Sequence, residues 1–308
     1  VRRNVGADTP FPLDVPHALN PPDGAIIYYS LGARANGRVT LDVMDSTGVA
    51  VRHYSSDPIP PVPEAARPPH PNFWVKVEQP LPTDAGMHRV NWDLRYDPPP
   101  TFAHTFEINA NPYETPASPE GSLVPPGTYT VRLSANGKSH SEKVTVTSDP
   151  RSPANLAALR AEDALIRKLR AAERLAYEAF RQTDTTRTQL RTMAASDSTS
   201  AAVKTIREYI AKLDTLGGVA SGVGFNFGGA GFGAPARPTL AQLVNRFLGQ
   251  LGNFENGDVA PTAAMLAAYK STCNDLEKSI TAWRALNGAD FSALNAALTA
   301  AGKTQLAK

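Results

Sequence analysis

One cysteine, Cys273, stands alone in 308 residues, so neither an intrachain disulfide nor a metal site built from several thiolates is open to this chain. It lies in a helical pattern beside Tyr269 and Leu276, which makes it a packing residue. Long apolar runs are missing as well. No stretch reaches the roughly 20 residues that a membrane span needs, and the opening VRRNVGADTP lacks the apolar stretch of a signal peptide. A start at Val and not Met is what a processed product or a fragment would show. Charge of one sign is scarce too: 31 basic and 29 acidic residues are interspersed to a formal +2, without any Lys/Arg-rich block. That excludes the electrostatic footprint of a nucleic-acid binder.

Catalytic signatures are equally absent. No GxSxG elbow and no HExxH occurs, and His17, His53, His70, His88, His104 and His140 are scattered through the first half without metal-ligand spacing. Gly302-Lys303-Thr304 resembles the end of a phosphate-binding loop, but position 297 is Ala where that motif requires Gly, and no strand precedes it. The Gly-rich stretch GGVASGVGFNFGGAGFGAPARP (217–238) does not spell GxGxxG. Carboxylate pairs drawn from Asp42, Asp45, Asp93, Asp97 and Glu107 remain an open candidate for acid–base work, although Asp42 alternates outward and Asp45 begins a turn. The expectation is therefore no enzyme, no cofactor and no metal.

What the sequence does contain is two periods. Up to about residue 149 the apolar residues alternate, in AIIYYSL (25–31), RVTLDVMD (38–45), VAVRHY (49–54), HRVNWDLRY (88–96), TYTVRL (128–133) and EKVTVT (142–147). Asp45-Ser46-Thr47-Gly48 and Asn136-Gly137 supply turns, the second pair favouring a type I′ hairpin. The Pro-rich segments 58–71 and 98–119 read as surface excursions, because proline removes a ladder donor. This pattern predicts an all-β domain at 25–149 of the immunoglobulin or fibronectin β-sandwich type. In it Val90, Trp92, Leu94 and Tyr96 face the core, Arg89, Asn91, Asp93 and Arg95 face water, and replacing Asp93 costs no more than about 0.5 kcal/mol.

Beyond Pro150 the period becomes three to four, and an all-α half at 150–308 is predicted, an antiparallel helical bundle that folds on its own. Its first helix opens at Ser152-Pro153 and carries Leu156, Leu159, Ile166, Leu169, Tyr177 and Phe180, with Arg160, Glu162, Arg167, Lys168, Arg170 and Glu173 on its solvated face. Ile206, Ile210 and Leu213 mark a second helix, Leu240, Leu243, Phe247 and Leu251 a third, Met265, Tyr269, Leu276, Ile280 and Trp283 a fourth, and Asp290 caps a short last one. The stretch 217–238 between helices two and three is too glycine-rich for helix, yet holds Phe225, Phe227 and Phe232 and almost no charge. Those rings are candidate partner contacts, as are Phe73 and Trp74 just after the first Pro-rich segment and Tyr113 within the second.

NPPDGAIIYYSL, VTLDVMDSTGVAVRHYSS, AGMHRVNWDLRYDPPP and VPPGTYTVRLSANGKSHSEKVTVTSDPR resemble, in the same order, the C-terminal region of large bacterial proteins with BNR or sortilin-type β-propeller repeats. Such proteins are often labelled glycosyl hydrolases because of the propeller, and their tail holds a sandwich similar to the Ig-like domain of the flagellar hook-cap protein. VRRNVGADTPFPLDVP resembles the connector that leaves the propeller, which implies an N-terminal connector at 1–24. No Asp-box of the form Ser-x-Asp-x-Gly-x-x-Trp occurs here, so the resemblance transfers no hydrolytic residue. It implies a periplasmic or extracellular protein. The function expected is a non-catalytic interaction or scaffolding module, an accessory subunit that meets protein partners in a larger envelope-associated complex. The alternative is an accessory carbohydrate- or peptide-binding domain of a propeller-type hydrolase.

Overall fold

The structure, a computed structural model, describes residues 9–16, 18, 21–59, 71–106, 112–152, 154–197, 199–220, 237–258 and 260–307. The described chain is mixed antiparallel β and helical. Its contacts divide it into two compact units: Val1–Pro99 with His104–Ile166 and Gly252–Pro261, and Pro100–Ala103 with Arg167–Leu251 and Thr262–Lys308.

The first unit contains the strands β1 (Ala25–Leu31), β2 (Thr40–Met44), β3 (Ala50–Ser55), β4 (Gly86–Trp92), β5 (Thr105–Phe106), β6 (Ala117–Ser118), β7 (Gly127–Ala135) and β8 (Lys138–Val146). They form three antiparallel sheets with orders β1-β4, β3-β2-β7-β8 and β5-β6. Alternation decides which face is dry: Leu41 and Val43 of β2 and Tyr129 and Val131 of β7 are buried, while Asp42 between them lies within reach of His53 on β3 and Arg132 on β7. The turns follow their chemistry. Asn136 and Gly137 both take positive φ (52° and 73°) between the paired residues Ala135 and Lys138, as a type I′ hairpin requires. At the other hairpin Asp45 Oδ1 accepts hydrogen bonds from the backbone N–H of Thr47 and of Val49, and Gly48 takes φ 84°.

Trp92 is fully buried, its ring 5.2 Å from that of Tyr129 and edge-on to it. The expected alternation through residue 96 is overturned beyond it. Asp93 Oδ1 accepts a hydrogen bond from the Arg95 N–H at 3.2 Å, Leu94 takes φ 60°, and β4 ends there because the side chain offers the backbone a tight turn in place of the ladder. Arg95, expected in water, is buried and donates to the Gly121 carbonyl at 2.7 Å, whereas Leu94 is only half-buried. The stretch 94–96 then pairs with 122–124 through Tyr96 N–H to Ser122 O and Val124 N–H to Leu94 O. A Cβ at Gly121 would come within 1.8 Å of the Tyr96 carbonyl, so only glycine permits this approach.

The helices are α1 (Leu156–Ser196), α2 (Val203–Gly217), α3 (Leu240–Gly252), α4 (Ala263–Ala285) and α5 (Phe291–Ala300). Three expectations about them need correction. α1 opens at Leu156, capped by Asn155, whose Oδ1 accepts from the Ala158 N–H at 2.9 Å; Ser152 instead donates to Asp258. Asp290 caps nothing, since α4 runs on through a π-helical stretch (Leu286–Asp290) into α5, and its carboxylate pairs with Lys212. Glu162 and Glu173 are buried and not solvated, because they fall on the same stripe of α1 as Leu165, Ile166, Leu169, Ala176, Phe180 and Leu190.

In the second unit Leu190, Ile206, Tyr209, Leu213, Phe291, Leu294 and Leu298 form one buried cluster. The rings of Phe102 and Phe180 lie 4.6 Å apart, which ties residues 100–103 to this unit. Buried Arg187 donates to Asp214 and to the Gly218 carbonyl and pairs with Asp184. Gly218, with φ 71°, backs so closely onto Thr239 that a Cβ would come within 2.4 Å of Thr239 Oγ1. No helix among the described residues is long and apolar enough to cross a membrane.

Trp92→Ala is expected to destabilise the chain by about 3 to 5 kcal/mol. Asp93→Ala, which strips the Arg95 N–H of its acceptor, costs about 1 to 2 kcal/mol, above an ordinary surface change. Urea melts of the two variants measure both, and a neutral Asp93→Ala would contradict the turn assignment.

Candidate functional site

Tyr113 stands 40 positions beyond Phe73 in sequence and beside the Phe73-Trp74 pair in the first unit. Pro71 opens a single 3₁₀ turn at Asn72–Trp74, closed by Trp74 N–H to Pro71 O and Val75 N–H to Asn72 O. Backbone pairing then brings the second excursion alongside: Tyr113 N–H donates to Phe73 O at 2.7 Å, Thr115 N–H to Trp74 O at 3.0 Å, and Lys76 N–H to Thr115 O at 2.8 Å. Thr115 is fully buried beneath this junction. The Phe73 and Trp74 rings meet edge to face at 6.4 Å.

Tyr113 differs from its neighbours in two respects. It is 54% exposed, and its φ is 63°. A left-handed backbone costs a non-glycine residue about 1 to 2 kcal/mol, and tyrosine has no short polar group with which to recover it locally. Strain of this kind gathers at sites kept for something other than folding. Val77, further along the first segment, is 64% exposed and adds apolar surface to the same excursion. Phe225, Phe227 and Phe232 lie outside the described residues.

The carboxylates weighed as a catalytic pair are engaged elsewhere. Asp42 Oδ1 lies 2.7 Å from His53 Nδ1 and Asp42 Oδ2 accepts from Arg132 at 3.2 Å, Asp97 Oδ1 accepts from the His53 N–H, and Asp45 and Asp93 shape turns. Glu107 lies outside the described residues. Among the described residues no group of three or more His, Cys, Asp or Glu is placed to hold a metal ion.

Two features escaped the sequence patterns. Buried Arg52 of β3 sits over the Tyr54 ring at 5.1 Å and donates to Glu78 at 2.9 Å. Burial works against its charge, but Tyr54, Asp93 and Glu78 outweigh that and hold the guanidinium above its ordinary range, while burial pushes the Tyr54 hydroxyl up to about 12. The second feature is a cavity of about 150 Å³ in the first unit, walled by Val146 and Ile166 and by the carboxylates of Asp149, Glu162, Asp163 and Asp258. Asp163 accepts from the Tyr96 hydroxyl at 2.6 Å, and hydrogen bonding to Arg151 holds the Asp149 carboxyl well below the usual carboxylate range. Glu162, expected on the solvated face of the first helix, is buried at helical spacing from Leu165, Ile166 and Leu169, and that spacing is the one signal in the sequence that could have pointed to this cavity.

No family model, no curated protein and no solved structure matches this chain.

Tyr113→Gly is expected to leave the unfolding free energy unchanged or raise it by up to about 1 kcal/mol, because glycine takes positive φ without penalty. A loss of more than about 1 kcal/mol in urea unfolding would make the ring a folding element, contrary to its exposure.

Proposed function

We propose that this chain is a non-catalytic interaction module that engages a protein partner through the aromatic corner of Phe73, Trp74 and Tyr113. The observation that carries the proposal is Tyr113 itself: an exposed ring kept on a left-handed backbone beside two further aromatics. Tyrosine and tryptophan are enriched at interfaces because they bring large contact area at small conformational cost.

The wider setting rests on the sequence resemblance. The two larger antiparallel sheets, with Trp92 of one against Tyr129 of the other, support an Ig-like sandwich, and the amphipathic helices support an antiparallel bundle. The sequence resemblance to the tail of BNR or sortilin-type propeller proteins supports reading the chain as an accessory subunit or tail of a periplasmic or extracellular assembly. The same aromatic corner favours a second reading, an accessory carbohydrate- or peptide-binding domain, since aromatic faces also stack on apolar ligand surfaces.

A photo-crosslinker placed at position 113 of the chain in its native envelope tests the proposal. The expected result is a discrete protein adduct that Phe73→Ala abolishes and that the same probe at Lys143 on β8 does not give. An absence of adducts at 113, or equal adducts at 143, sinks it. Saturable glycan binding by the purified chain that Tyr113→Gly removes transfers the corner to the carbohydrate reading.

A further inference from the structure

Glu173 lies in the middle of the stripe that α1 buries in the second unit. Leu169 stands one turn before it and Ala176 almost one turn after, both buried, and Phe180 follows on the same stripe. Glu173 is only 1% exposed, and among the described residues neither of its carboxyl oxygens has a hydrogen-bond partner. Buried carboxylates are otherwise paired or hydrogen-bonded, because an unpaired charge in such surroundings is costly and the group neutralises instead. The buried arginines among the described residues follow the rule: Arg187, in the same unit, has Asp184, Asp214 and the Gly218 carbonyl, and Arg52 and Arg95 have acceptors of their own.

Burial is the dominant influence on Glu173 and pushes its carboxyl from the ordinary 4.5 to about 8. Arg170 and Arg174 offset part of that and Glu178 adds to it; all three belong to α1, and among the described residues no charged group of another element acts on it. Histidine does not obscure the effect, because all six lie outside the second unit. Cys273 is the unit's one thiol.

We propose that Glu173 is a proton-operated latch: the second unit packs around α1 with the carboxyl neutral, and loss of that proton loosens the helix from its neighbours. The direction follows from proton counting. Between the ordinary value near 4.5 and the native value near 8 the folded chain holds a proton that the unfolded chain has released, so stability falls as pH rises across that window and levels off above it. One proton corresponds to a shift of up to about tenfold per pH unit in the unfolding equilibrium. Acidification therefore tightens this unit.

The experiment uses the full chain carrying Cys273→Ala, with and without Glu173→Gln, from pH 5 to 9. Thermal midpoints and hydrogen-exchange protection factors for residues 167–183 are read, the latter corrected for intrinsic exchange. The Glu173 chain is expected to lose protection in this segment progressively as pH rises, and the Glu173→Gln chain to hold a flat profile and to be the more stable of the two at pH 9. Parallel profiles in the two chains overturn the latch. Where Glu173→Gln fails to fold, ¹³C-carboxyl NMR of glutamate-labelled chain decides: one glutamate titrating above about pH 7 supports the latch, and ordinary midpoints for every glutamate overturn it.

Discussion

The hydrogen bond from the Trp92 indole N–H to the Arg95 carbonyl, 3.0 Å long, is the constraint around which the first unit is organised. It folds the chain back within three residues of the end of β4, and Asp93 reinforces the same bend from the other side by accepting the Arg95 N–H. Three things follow from that bend. The Arg95 guanidinium turns inward to Gly121, residues 94–96 pair with 122–124, and the Tyr96 hydroxyl reaches Asp163 on α1. The first turns of α1 belong with the strands partly for this reason. Aromatic packing of Trp92 on Tyr129 alone would bury area without fixing direction, whereas the indole donor specifies the path the chain must take.

Buried charge is handled in two ways. Arg52, Arg95 and Arg187 each lie in an enclosed place with several acceptors, so their desolvation is offset by charge-assisted bonds. Removing any of those acceptors would leave a cation stranded, which is far more costly than the gain from forming the pair in the first place. Glu173 has no such set and resolves the same problem by keeping its proton. Two solutions to one desolvation cost thus coexist in a chain whose net charge is close to zero.

Most of the element plan was legible in the sequence. The strand AIIYYSL matches β1 residue for residue, Asn136-Gly137 announces its hairpin, and the apolar spacing of Leu240, Leu243, Phe247 and Leu251 marks the buried face of α3. What escaped was decided by single side chains competing with the backbone. Asp93 ended a strand that alternation alone would have prolonged to Tyr96, and Asn155 took the cap position three residues after the Ser-Pro pair that advertised it. Glu162 and Glu173 misled for a different reason: charge suggested water, but the helical spacing of their neighbours had already assigned them to the buried stripe. Of the candidate site, the sequence showed aromatic residues in two separate places, just after one Pro-rich segment and within the other. It did not show that the Phe73 and Trp74 carbonyls would accept from the other excursion, because backbone pairing between irregular segments leaves no periodicity to detect.

Gly218 and Thr239 stand back to back although twenty residues separate them in sequence, so the two ends of that segment have no distance to bridge. Doubling its length adds only about 0.6 kcal/mol of closure entropy, so its length is free to drift over evolutionary time while α2 and α3 stay in register. The same arithmetic makes it a natural graft point: an epitope tag or a small reporter domain whose own termini lie close together can be spliced in there, with Arg187 holding the exit at Gly218.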